Sequence, residues 1–87
     1  AAPELLALLK AGDAFRRPAR FRELLEAARL AEPGPAMESG CARLERALAA
    51  AAAVDAGAIA RLATSPADIA GRLDDARVQA IAGTLGG

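Results

Sequence analysis

The sequence has no histidine, tryptophan or tyrosine, a single cysteine, a single methionine and two phenylalanines. Without histidine there is no imidazole general base and no His-dependent triad. With one thiol there is neither a zinc cage of the usual ligands nor an internal disulfide. An excess of either charge is also missing, because 11 basic and 11 acidic residues cancel. No global field therefore draws the chain toward nucleic acid, a membrane or an acidic partner, and such a partner has to be met by a local patch. No stretch approaches the ~18 apolar residues of a membrane span. The N-terminus lacks a charged segment followed by an apolar one, so a cytoplasmic protein with no membrane partner is expected.

What is present is alanine. Of the 87 residues 54% are apolar, but 26 are Ala and only 20 are large (12 Leu, 3 Ile, 2 Val, 2 Phe, 1 Met). Alanine favours helix and lets helices approach closely, so the composition predicts an all-α bundle of about five short helices with a thin core. A chain of this length makes one small domain, residues 1–87, and is too short for most complete enzymes. It opens Ala1-Ala2-Pro3 without an initiator methionine, which fits a processed start as well as a fragment of a longer protein, and the fragment is the expectation.

Periodicity divides the chain. Pro3 suits a first helical turn, Leu5, Leu6, Leu8 and Leu9 form a stripe, and Gly12 closes a helix over 3–11. Pro18 starts a second helix over 18–31, with Phe21, Leu24, Leu25 and Ala28 on one face and a Glu26–Arg29 pair on the other. Glu32-Pro33-Gly34-Pro35 is the one strong breaker and marks the hinge. Met37, Cys41, Leu44, Leu48 and Ala51 or Ala52 then follow a helical period over 36–53. The alanines from 49 to 53 are expected at a close helix contact. Asp55 caps a short helix over 56–63 with Ile59 and Leu62 inward. Ser65 caps the last helix over 66–83, where Ile69, Leu73, Ala76 and Ala80 align and Val78, Ile81 and Leu85 widen the stripe. Residues 84–87 are expected to fray.

Few groups carry chemistry. Arg16, Arg17, Arg20 and Arg22 are opposed within residues 13–23 only by Asp13 and Glu23, a local net charge of +2. Guanidinium groups meet phosphate oxygens bidentately, so this turn is where a nucleic-acid backbone would sit; the plain alternative is a solvated helix start. Residues 64–73 have the look of the first helix of a helix-turn-helix, but Asp74 and Asp75 follow and the apolar period runs on to Ile81. Those two carboxylates are adjacent on a helix, about 100° apart, and do not converge as metal ligands or as an acid–base pair. Cys41 lies on an apolar stripe with no group beside it to activate a thiol and is assigned to the core. Gly83, Gly86 and Gly87 precede no helix and form no phosphate loop. No catalytic, cofactor-binding or metal-binding residue is found.

The run from Leu8 to Phe21, with Asp13-Ala14-Phe15-Arg16-Arg17-Pro18-Ala19-Arg20 at its centre, resembles the D-A-F/W-R-[RK]-P-x-R segment near the C-terminus of proteobacterial CCA-adding enzymes, the tRNA nucleotidyltransferases. Ala42–Leu48, Val54–Ala60, Ile69–Leu73 and Ala76–Ala82 are similar in order and spacing to the last part of those enzymes. The resemblance implies a helical tail downstream of a head that adds C, C and A to tRNA with CTP, ATP and magnesium, and in some members downstream of an HD phosphohydrolase domain. It implies that the tail holds tRNA without catalysing, that Arg16, Arg17 and Arg20 touch its backbone, and that its partners are tRNA and the head and HD domains. Arg22 joins them by position. The chain departs from the family at Ala31–Ala36, where a basic and an aromatic group are common, and at Ser65-Pro66, where a glycine is common. The alternative is a structural docking or homodimerisation module whose apolar stripes meet a neighbouring domain or a second copy.

Overall fold

Five helices and no strand form the described residues, 1–85, of the computed structural model: α1 (Ala2–Ala11), α2 (Pro18–Ala31), α3 (Pro35–Ala52), α4 (Ala56–Leu62) and α5 (Pro66–Leu85). Proline sits in the opening turn of α1, α2 and α3, and α5 starts on one. A proline ring fits there because its missing N–H would have no partner in the helix. The two caps read from the sequence are present. Asp55 accepts from the Ala58 N–H at 3.0 Å, and Ser65 Oγ accepts from the Asp68 N–H at 3.1 Å. Asp68 in turn accepts from the Thr64 N–H and from Arg72 Nε, both at 3.0 Å.

α3 and α5 are the central pair. α1 packs on both, α2 packs on α3, and α4 packs on α5. The molecule measures 46 × 27 × 17 Å, a slab about two helices thick. Its core runs through Leu5, Leu6 and Leu9 of α1, Phe21 and Leu25 of α2, Cys41, Ala47, Leu48 and Ala51 of α3, and Ile81 of α5. Leu9 and Ile81 are completely enclosed, and each such side chain contributes about 1.5–3 kcal/mol of burial. Ala47 and Ala51, one turn apart and fully buried, form the small-residue seam by which α3 approaches its neighbours. Cys41 is core, its Sγ 3.8 Å from the Leu25 carbonyl oxygen as a weak donor.

Several expectations are corrected. Leu8 and Leu24 were placed on buried stripes but are more than half exposed, since α1 and α2 each meet the core along a narrower line than the sequence suggests. Leu62 is 73% exposed and α4 buries no residue, because its two turns rest on α5 alone. Of the alanines from 49 to 53, only Ala51 is buried. α5 is longer than read. It includes Thr84, whose hydroxyl donates to the Ile81 carbonyl at 2.7 Å, and ends at Leu85, which is exposed. The rest of the fraying expected over 84–87 falls on Gly86 and Gly87, outside the described residues. α5 also runs unbroken through Asp74 and Asp75, so residues 64–73 do not lead into a turn and second helix.

Candidate functional site

The arginine-rich turn is built by the way α1 ends. The Asp13 N–H bonds the Lys10 carbonyl at 3.1 Å and the Ala14 N–H bonds the Leu9 carbonyl at 2.9 Å, the paired pattern of a Schellman stop. The left-handed residue in this stop is Asp13, at φ 55°, and not the glycine before it. Asp tolerates that region better than most side chains. Gly12 has φ −84° and is required for space instead, since a Cβ there would lie 2.8 Å from two ring carbons of Phe21. The sequence marks Gly12 as the helix stop, and the structure transfers the left-handed role to Asp13.

Residues 14–17 are then held from both sides. Ala14 is fully buried, and Phe15, half-buried against the core, lies under the Arg77 guanidinium of α5, 4.1 Å from its ring centroid. The Arg17 N–H bonds the Asp13 carbonyl at 2.9 Å, and Pro18 begins α2. Arg16, Arg17, Arg20 and Arg22 all emerge exposed from this turn and the first turns of α2. Arg17 and Arg20 line a hollow of about 280 Å³ with Ala11, Gly12, Asp13 and Leu24; Arg16 and Arg22 lie outside it.

Among the described residues, Arg20 and Arg22 form no ion pair, and Arg16 and Arg17 reach only Asp13, each with its Nε 4.0 Å from a carboxylate oxygen. Three cations elsewhere, Lys10, Arg29 and Arg72, are bound more tightly. Lys10 Nζ is 2.7 Å from Asp74, joining α1 to α5. Arg29 faces three carboxylates, with Nη1 3.0 Å from Glu45 and also bonded to Glu26, and Nε 3.2 Å from Glu38. The hydrogen bond to Glu45, with those of Glu26 and the nearby Glu38 charge, raises the Arg29 pKa further above its already high ordinary value. Hydrogen bonding by the Thr64 N–H, reinforced by Arg72, holds the Asp68 carboxyl below its ordinary range.

Sequence reading found the four arginines and the Glu26–Arg29 pair but not Glu38 or Glu45, which reach Arg29 from another helix. It missed Leu24 as a wall of the hollow, having placed it in the core, and named Arg77 only within the Ala76–Ala82 stretch, without its contact to Phe15. A second hollow of about 570 Å³ lies beside the hinge, lined mainly by Pro33, Pro35, Met37, Cys41 and Leu44. No cluster of three or more metal-ligating side chains occurs among the described residues, and none of their helices is long and apolar enough to cross a membrane.

Comparison with known proteins covers nearly the whole chain. The chain is 44% identical over 95 residues to the multifunctional CCA proteins of Burkholderia mallei and Burkholderia pseudomallei, and 46% identical over 92 residues to that of Cupriavidus necator. These alignments cover 98–99% of this chain and 22% of each relative, at the relatives' C-terminal portion. The chain thus spans about a fifth of the length of the proteins it matches. The 95-residue alignment is longer than the 87-residue chain, so at least eight positions of those relatives have no counterpart here. No family model and no solved structure matches.

Proposed function

From its correspondence to the C-terminal portion of multifunctional CCA proteins, we propose that this domain is the non-catalytic, tRNA-holding tail of a cytoplasmic enzyme that adds CCA to tRNA 3′ ends. Magnesium, CTP and ATP act in the head of the parent chain, and the head, with an HD domain where one is present, is the intramolecular partner. The observation that carries the reading is the arginine-rich turn: four exposed guanidinium groups on a turn fixed by Ala14 and Phe15, without a close carboxylate partner among the described residues. Such groups suit phosphate oxygens. Neither phenylalanine is free to stack on a base, since Phe21 is buried and Phe15 lies beneath Arg77. The contact therefore follows the backbone and A-form shape rather than base sequence.

The test is anisotropy of labelled tRNA lacking its CCA end, titrated with the full-length enzyme with and without this domain at several salt concentrations. Deletion should lower affinity and flatten the salt dependence. Replacing Arg16, Arg17 and Arg20 together by Ala should remove two or three phosphate contacts' worth of slope, each about 0.7–0.9 in log K per log salt. An unchanged slope overturns the reading.

A second reading, a docking or dimerisation module, is favoured by the apolar hollow beside the hinge and by Leu30, 84% exposed near the end of α2. It requires a mass that rises with concentration, or loss of stability of the parent when the domain is removed, with tRNA binding unaltered.

A further inference from the structure

Two arginines do not account for the other walls of the 280 Å³ hollow. Asp13, whose carboxylate stands near Arg17, also lines it, and Ala11, Gly12 and Leu24 add apolar surface. Arginines alone would serve a bare phosphate, and a carboxylate next to them repels one. Both Asp13 oxygens stand 4.0 Å from the nearest arginine Nε, beyond hydrogen-bond distance, so their acceptor capacity is unspent on those groups. On a nucleic-acid backbone, the group that donates beside a phosphate is the ribose 2′-hydroxyl, which also separates RNA from DNA. The volume falls just under the ~300–1,000 Å³ of small-molecule pockets, enough for one backbone unit of a longer strand and too little to enclose a large free ligand. Leu24, more than half exposed on α2, offers an apolar wall to the sugar.

We propose that this hollow is a ribonucleotide subsite, in which Arg17 and Arg20 hold one phosphodiester and Asp13 accepts a hydrogen bond from an adjoining 2′-hydroxyl. Leu24 packs against the ribose. The proposal rests on the tRNA-backbone reading above and adds to it a residue that selects RNA over DNA. Arg16 and Arg22 lie outside the hollow and take no part in this subsite.

The experiment is a scan of single 2′-deoxy substitutions through tRNA lacking CCA, binding measured with the full-length enzyme. The wild type should show one position at which loss of the hydroxyl weakens binding about tenfold, the scale of one hydrogen bond to an ionised acceptor. Asp13→Gly should abolish that penalty. Glycine keeps the positive φ of this site without strain, so the turn survives the change. Asp13→Asn should retain part of the penalty, because the amide oxygen still accepts. The same penalty in wild type and Asp13→Gly, or no sensitive position in the wild type, overturns the assignment of Asp13. Arg17→Ala and Arg20→Ala distinguish that failure from a deeper one. If each still lowers the salt slope, backbone binding stands without the 2′-hydroxyl contact. If neither does, the backbone reading falls and this inference with it.

Discussion

Gly12→Ala tests how firmly the arginine-rich turn is fixed. At φ −84° and ψ 3°, position 12 has a backbone that alanine adopts freely, so on conformational grounds the substitution should stabilise. Alanine restricts the unfolded chain by about 0.4–1 kcal/mol relative to glycine. Against this stands the Phe21 ring, two of whose carbons would lie 2.8 Å from the new methyl group. That is well inside ordinary contact, and Phe21 is buried at the first turn of α2 with little room to swing. Overpacking of this kind costs about 1–3 kcal/mol, so the steric effect wins and the net loss should be about 1 kcal/mol. For a chain this short, that lowers the thermal midpoint by about 5 °C. Calorimetry or urea unfolding of Gly12→Ala, alone and combined with Phe21→Leu, checks the cause, because the smaller side chain should remove most of the penalty. A neutral or stabilising Gly12→Ala would refute the reasoning. It would mean that the ring yields, and with it the spacing of Arg20 and Arg22, which flank Phe21 in sequence.

Leu9→Ala, at a completely buried position where α1 meets the core, should lose about 2–5 kcal/mol in urea unfolding; a loss below 1 kcal/mol would contradict its enclosure. A double-mutant cycle of Arg77→Met and Phe15→Leu should give a coupling of about 0.5–1 kcal/mol, the scale of a cation–π contact at partial exposure, and additive effects would deny it. For Asp68, whose folded pKa lies below its ordinary 3.8, the contribution to stability is fully present above that value and fades as pH falls through the lower folded value. The gap in unfolding midpoint between wild type and Asp68→Ala should therefore narrow as pH falls below about 4, and a gap that does not change with pH would contradict the assignment.

Local signals were legible wherever a residue acts on its own backbone. The prolines at 3, 18, 35 and 66, the caps Asp55 and Ser65, and the breaker at 32–35 place all five helices within two residues of their observed ends. What a period-of-3.6 count does not contain is how wide a line of contact each helix finds. Leu24 and Leu62 satisfy the pattern, yet α2 leans on α3 alone and α4 on α5 alone, so one side of each helix stays in water. The pairing of Arg77 with Phe15 spans 62 positions and has no sequence signature. The Schellman stop was half legible, since Gly12 announces a helix end but hides that the left-handed turn falls on Asp13.

The ion pairs explain how a chain of zero net charge can offer a basic surface. Neutrality would be uninformative if opposite charges were mixed evenly, but here they are sorted. Glu26, Glu38 and Glu45 converge on Arg29, Asp68 takes Arg72, and Asp74 takes Lys10, so five of the 11 acidic residues are spent on three cations. Near Arg16, Arg17, Arg20 and Arg22 only Asp13 comes within 4.0 Å, and exposed pairs at that separation are worth little. Unequal use of carboxylates leaves the turn's positive potential standing. An incoming phosphate has to displace only one weak internal competitor, and it is that competitor, Asp13, whose remaining acceptor capacity a ribose hydroxyl would use.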